Sequence, residues 1–404
     1  MDDVVVSPGA APARPDELLV IWGNTPWDGH RLGAQFLAEA LARHHDVLYV
    51  DPPTSVVRLG RPGAERWRSY LRAGPEPVAE GVLRLRTVGP PGIRRTAVRP
   101  LTAALARRSL RRAVRHLDRP VRAVISGYLD AEPFGCCDER WRICRISDDF
   151  STGTELGVCV DRMTRAQERI AGRADAVVCV SPPLVAQWRA RGFDPVLVPN
   201  GSDTARLRAA LDAPRPVAIR LPEPIVGYCG QLSRRVDLDL LEGVVEAGHS
   251  LLLVGGRRPE VDGRRLQALL DATNVQWLGE RPYAEVPALL GAMAVGLLPY
   301  AASEFNRASF PLKLLEYLGA GVAPVATDLP AVRWLDTDLV RVATDRATFV
   351  AAVDAALTGV GDQVERERRA TFASGHDWSR RAADYLRLLD QLEVGPGGTQ
   401  SSGP

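Results

Sequence analysis

The sequence predicts an α/β protein made of two doubly wound halves, each a parallel sheet covered by helices. Three observations predict it. Short apolar runs rich in Val, Ile and Leu alternate with stretches of helical periodicity along most of the chain. The alternation breaks once, at 212–224, where Pro214, Pro216, Pro222 and Pro224 resist both helix and interior strand, and restarts at Ile225. The length, 404 residues, gives two domains room for separate cores.

The elements follow in order. Leu18–Trp22 is the first strand; a polar loop, a helix near 31–44 and the strand Val47–Val50 come after it. Further strands are predicted at 83–88, 121–126, 143–146, 176–180 and 196–198, with helices over 97–117, 160–172 and 182–191. Past the linker, strands at 225–229, 251–254, 275–278, 295–298, 323–326 and 339–342 alternate with helices near 237–247, 264–272, 284–292, 311–319 and 346–358. A long helix over 364–392 ends the fold. Residues 1–16 and 394–404, rich in Pro, Gly and Ser, read as floppy ends. The two halves are then 17–211 and 225–375, and the cleft between two such sheets is the default ligand site.

Charge is balanced overall and uneven locally. The formal net charge is +2, with 46% hydrophobic and 25% charged residues, which excludes extensive disorder and a general nucleic-acid binder. Yet residues 58–122 hold 17 Arg against four acids. In the helix over 97–117, Leu101, Leu105, Val114 and Leu117 share one face, and Arg107, Arg108, Arg111, Arg112 and Arg115 crowd the others. Such a helix suits an anionic membrane surface or a lipid-phosphate acceptor, or is a solvated face; sparse aromatics argue against nucleic acid. No apolar run reaches 18 residues and the start, Met1-Asp2-Asp3, lacks a secretory pattern, so a cytoplasmic protein is expected, with peripheral membrane association as a candidate. The six cysteines form no CxxC pair, so free thiols and no metal site are expected.

The most informative segment is 304–321. Pro311 opens a helix, Leu312, Leu315 and Leu318 recur at core spacing, and Lys313 and Glu316 share another face. Lys313 is the sole lysine, the other 50 basic residues being arginine. A compact ammonium is therefore retained at one helix start, where a flat guanidinium does not serve.

The run P-x-K-x-x-E-Y-x-x-x-G followed by a strand resembles the donor-binding segment of GT-B glycosyltransferases, in particular the family 4-like enzymes of teichuronic acid and polysaccharide synthesis. Trp22–Arg31 (W-G-N-T-P-W-D-G-H-R), Ile146–Phe150 (I-S-D-D-F), Ala174–Asp203 and Gly227–Arg235 (G-Y-C-G-Q-L-S-R-R) are similar to that family's other motifs, in the same order. The resemblance implies two Rossmann-like domains facing a cleft, with a C-terminal helix, 376–393, crossing back to the first. It implies a nucleotide diphosphate-sugar co-substrate, no further cofactor, and transfer of the sugar to an acceptor hydroxyl with retention. The implied donor-binding residues are Gly230, Arg234, Arg235, Arg281, Asn306, Lys313, Leu314 and Glu316. Glu316 would hold ribose hydroxyls, the cations the diphosphate, and loop 279–283 would border the base. Trp27, Asp28, Gly29, His30 and Arg31 would form the acceptor side.

His30 is a candidate base or orienting group. Asp148 and Asp149 are candidates for orienting substrate, with a divalent ion or helix capping as the alternatives. Asn200-Gly201 reads as a structural turn. One departure is plain: many family members carry a second glutamate eight positions before Glu316, and here Ala308 stands there, with Glu304 and Asn306 nearby as substitutes. This keeps open a non-catalytic nucleotide-sugar-binding subunit; the competing enzyme reading is a nucleotide-sugar epimerase or phosphorylase on the same fold. A lipid-linked, polymeric or small-metabolite acceptor fits equally. No G-x-G-x-x-G follows a strand, which disfavours a NAD enzyme.

Overall fold

A computed structural model of the chain describes residues 15–59, 74–93, 95–152, 159–209, 211 and 214–394. Its strands are β1 (Leu18–Trp22), β2 (Asp46–Val50), β3 (Thr54–Ser55), β4 (Glu76–Ala79), β5 (Val82–Leu85), β6 (Val88–Gly89), β7 (Val121–Ser126), β8 (Trp141–Ile146), β9 (Ala176–Cys179) and β10 (Pro195–Leu197) in the first half. The second half holds β11 (Ile225–Cys229), β12 (Ser250–Val254), β13 (Val275–Trp277), β14 (Val295–Leu298), β15 (Ala323–Thr327) and β16 (Arg341–Ala343).

The first sheet runs β10-β9-β8-β7-β1-β2-β5-β4 and the second β13-β12-β11-β14-β15-β16, while β3 and β6 pair apart from both. Among these strands all pairings are parallel except β4 with β5. Central strands such as β1, buried at every residue, read as unbroken apolar runs because helices cover both faces of the sheet. Chain order reverses between β1 and β7 in the first sheet and between β11 and β14 in the second. At such switch points the connecting helices leave to opposite faces, opening a crevice at the carboxyl ends of the strands.

The predicted terminal helix is two helices, Gln363–Ser374 and Trp378–Val394. The break has a local cause. Residue 202 pairs with the intervening segment: the Ser202 N–H donates to the His376 carbonyl at 2.9 Å and the Trp378 N–H to the Ser202 carbonyl at 3.1 Å. Asp377 caps the next helix through the Ser379 N–H at 2.8 Å. That second helix lies on the first domain. Trp378 stacks on Phe36 at 5.8 Å, and Ala382, Tyr385 and Leu389 join Leu19, Ile21 and Leu37 in one core cluster. At its far end Arg122 donates to Asp390 at 2.6 Å and to Glu393 at 3.1 Å.

Two expectations need adjusting. The basic helix spans Arg99–Leu117, but its buried face is Thr102, Ala106, Leu110, Ala113 and Val114, and Leu101 is exposed. Arg107 and Arg111 bend over to the carbonyls of 132–136, leaving Arg108, Arg112 and Arg115 exposed. Much of the remaining arginine-rich segment, at 60–73 and 94, lies outside the described residues. No helix among the described residues is long and apolar enough to cross a membrane.

Because the crossing helix is anchored by a buried indole, Trp378→Ala is expected to cost about 3–5 kcal/mol. Urea unfolding of the full chain measures this; an unchanged midpoint would mean that the helix does not dock on the first domain.

Candidate functional site

Strand β11 ends at Cys229 and the chain turns at Gly230, while β14 leads to Tyr300; both lie at the second switch point. The helix Leu312–Gly319 brings Lys313 between them. The Lys313 Nζ donates to Tyr300 Oη at 2.7 Å and lies 5.0 Å from the Tyr300 ring centre and 5.5 Å from that of Tyr228. Gly230 is required by contact: a Cβ there would stand 2.8 Å from Lys313 Cε and 2.9 Å from Tyr228 Oη. Gly255, at the end of β12 with φ 134°, lies so close that a Cβ would fall 2.1 Å from the Gly230 carbonyl oxygen.

The first domain fixes this helix. The Asn200 side chain accepts from Arg145 at 2.7 Å and donates to the Phe310 carbonyl at 2.9 Å, just ahead of Pro311. Ser202 donates to the Leu315 carbonyl at 3.3 Å. Leu314, Leu315 and Leu318 fill the core, so Leu314 offers a ligand no side chain. Lys313 and Glu316 are half-buried.

Burial opposes the charge on Lys313, but the Tyr228 and Tyr300 oxygens more than offset it and hold the amine above its ordinary range. Burial acts on Tyr300 in the opposite sense and is outweighed by Lys313 and Arg235, which keep the phenol below its usual value. Burial raises the Glu316 carboxyl, Lys313 opposing and Asp203 adding. Among the described residues the Glu316 side chain makes no hydrogen bond or ion pair, so its carboxylate oxygens are free to accept from a ligand's hydroxyls.

Of the two arginines after β11, Arg235 belongs to this cluster. Its guanidinium lies 4.8 Å from the Tyr300 ring centre and 4.9 Å from that of Phe305. It donates to Asn306 Oδ1 at 2.8 Å and Ser309 Oγ at 3.2 Å. Arg234 is exposed and donates to the Glu260 carbonyl at 2.9 Å, away from Lys313. Asn306 is fully buried and its amide is spent on Arg235 and Ala301; it positions Arg235 and is corrected from donor contact to support. Arg281 bends back to the Leu278 carbonyl at 3.1 Å and toward Glu285 at 3.7 Å. Glu304 is an exposed partner of Arg307, and Ala308 is buried with its carbonyl accepting from Ser181 of the first domain. The carboxylate position eight before Glu316 has thus become a domain contact.

Across the cleft stands the loop after β1. His30 is open at the mouth, yet the walls crowd it: burial, Lys313 and Arg258 lower its pKa, and Glu280 opposes. At pH 7 the ring is neutral and able to accept a hydrogen bond. Gly29 closes the preceding turn, its N–H donating to the Pro26 carbonyl at 2.9 Å. Trp27 sits edge-on to Tyr49 at 5.1 Å, and its backbone N–H donates to Asp51 Oδ1 at 2.8 Å. Asp28 is held by Arg84. Arg31 pairs with Glu39 at 2.6 Å and lies over Trp27, Phe36 and Tyr283, at 5.8, 4.6 and 5.4 Å from their centres. It joins the domains.

The two aspartates part company. Asp148 faces the second domain closely enough to act on Tyr300. Asp149 is buried, accepting from the Ser151 N–H at 2.9 Å, Thr152 at 3.2 Å and Gln187 at 2.7 Å. It caps a turn, so it is corrected from catalytic candidate to structural support.

Residues 223–359, which hold this whole second switch point, match the family model "Glycosyl transferases group 1". The second half is thus similar to a group 1 glycosyl transferase domain. Over 224 residues the chain is 32% identical to TuaH, named as a teichuronic acid biosynthesis glycosyltransferase of Bacillus subtilis, covering 53% of this chain and 56% of that one. It is 30% identical over 246 residues to a phosphatidyl-myo-inositol mannosyltransferase of Mycobacterium tuberculosis, covering 56% and 61%. The chain therefore spans a little over half the length of these relatives. Among solved structures, sucrose-phosphate synthase of Thermosynechococcus elongatus superposes with a TM-score of 0.68 at 16% identity, covering 94% of this chain and 99% of that one. HepE of Anabaena, in complex with UDP and glucose, gives 0.63 at 15%, covering 93% and 99%. These likenesses show the GT-B fold, two Rossmann-like domains.

The two halves also use residues that motif reading passed over. Gln35, fully buried, ties the cleft loop together: its Nε2 donates to Thr25 at 2.9 Å and to the His30 carbonyl at 3.2 Å, and its Oε1 accepts from the Leu32 N–H at 3.0 Å. Asp51 and Arg84 pair at 2.7 Å beneath the same loop. A polar residue on the apolar face of a helix was the available signal for Gln35. Tyr300, a tyrosine just past a buried strand, gave none.

If His30 and Lys313 face each other, His30 titrates below 6.5, and Lys313→Ala raises its midpoint. Histidine NMR titration checks this; a midpoint that ignores the substitution would place the two groups apart.

Proposed function

We propose that the chain transfers a sugar from a nucleotide diphosphate-sugar to an acceptor hydroxyl, with retention and without a resident metal. The observation that carries this reading is the meeting of Lys313, Glu316 and the Gly230 turn at one switch point inside the matched domain. Glu316 suits the ribose hydroxyls. Lys313, with Arg235 behind it, suits the diphosphate.

In the reaction the bond from the anomeric carbon to the diphosphate oxygen breaks and one to the acceptor oxygen forms. The acceptor proton passes to the departing phosphate oxygen. Lys313 stabilises the charge that grows on the leaving group, a role for a fixed cation that metal coordination otherwise fills. Neutral His30 accepts a hydrogen bond from a hydroxyl on the first-domain side. The names of the Bacillus and Mycobacterium relatives support a polymeric or lipid-linked acceptor. Exposed Arg108, Arg112 and Arg115, with Leu101, suit contact with an anionic membrane surface.

Thermal-shift measurements with UDP, GDP and their sugar conjugates test the donor site. At a hundredfold excess over Kd, a bound diphosphate stabilises the wild type by about 2.7 kcal/mol, and both Lys313→Ala and Glu316→Ala lose most of the shift. If no nucleoside diphosphate stabilises the wild type, the reading fails. Exchange of a sugar hydrogen with solvent deuterium in the absence of acceptor would favour an epimerase instead.

A further inference from the structure

Lys313 and Arg235 are like charges drawn toward one small region, and bringing them together costs energy that bulk water does not fully screen there. A single side chain meets both. Tyr300, buried at the end of β14, accepts the Lys313 hydrogen bond on its oxygen at 2.7 Å and turns its ring face to the Arg235 guanidinium at 4.8 Å. The phenol oxygen and the π face are its two electron-rich features, and each takes one cation. Arg235 is fixed independently by Asn306 and Ser309. Apart from its ring contacts with Tyr228 and Tyr300, the ammonium's hydrogen bond among the described residues is the one to Tyr300.

We propose that Tyr300 is the positioning residue for the donor diphosphate: it holds the Lys313 ammonium over the Gly230 turn while keeping Arg235 beside it. The inference rests on reading Lys313 as a diphosphate ligand and adds the group that sets its aim and charge. Other groups also face the ammonium. Tyr228 and Cys229 come from β11, Glu316 from its own helix, and His30 from across the cleft. Arg235 and Asp148 act on Tyr300 from its other sides. Among the described residues only Tyr300 accepts a hydrogen bond from the ammonium, so its hydroxyl is the part to remove.

The chain makes the test direct, because Lys313 is its sole lysine. Labelling with 15N,13C-lysine gives one side-chain signal, read on the full chain without nucleotide. In the wild type the amine is expected to titrate above the ordinary value of 10.5 and to show a slowly exchanging, hydrogen-bonded NH3+ group. Tyr300→Phe keeps the ring for Arg235 and deletes only the hydroxyl. It is expected to lower the lysine midpoint by about one unit and to weaken UDP binding about tenfold.

A lysine midpoint unchanged by Tyr300→Phe overturns the proposal. So does a wild-type amine that titrates at the ordinary value and exchanges freely, a result that needs no variant to fold. If the lysine behaves as expected but no nucleoside diphosphate binds, the donor-site reading falls and the Tyr300–Lys313 couple stands.

Discussion

The cleft is organised around one constraint: an ammonium half-withdrawn from water must be given electron-rich neighbours. Lys313 finds them in two tyrosines from adjacent strands, and the rest of the site is shaped to let it reach them. Gly230 is small because the lysine stem passes over it, and Gly255 follows because the Gly230 backbone is then pressed against the next strand end. The same ammonium acts on Glu316 and on His30 across the cleft. A group that influences Tyr228, Tyr300, Glu316 and His30 within one crevice sets the charge that any ligand must match.

The second requirement is that the two sheets face each other. Asn200 and Ser202, at the end of the first domain, grip the start and middle of the lysine-bearing helix. Trp378 and the helix behind it return to the first domain, where Phe36 and Leu37 receive them. Arg31 adds a cation across the gap, lying over Tyr283. These contacts are held by side chains that carry no chemistry of the site themselves. Together they bring His30 to the donor side.

Much of this was legible in the sequence, for physical reasons. Parallel strands buried on both faces leave apolar runs, prolines mark the linker, and a helix start carrying the lone lysine stands out against fifty arginines. Local spacing reports which residues share a helix face, and so Lys313 and Glu316 were found together. It does not report what a side chain meets across the fold. Asp149 looked like a ligand because it stands beside Asp148, yet Ser151, Thr152 and Gln187 turn it inward. Asn306 and Arg31 looked like cleft groups, but one serves Arg235 and the other lies between rings of both domains. Gln35, Asp51, Arg84 and Tyr300 work through partners as far as 65 residues away, and no short motif encodes them.

The central claim is that Lys313 reads the diphosphate and not the nucleoside. Calorimetric titration of a nucleoside and its diphosphate into wild type and Lys313→Ala measures this directly. The account predicts that the substitution leaves nucleoside affinity unchanged and removes about tenfold or more of the diphosphate's advantage. An equal loss for both ligands, or no loss for either, would contradict it.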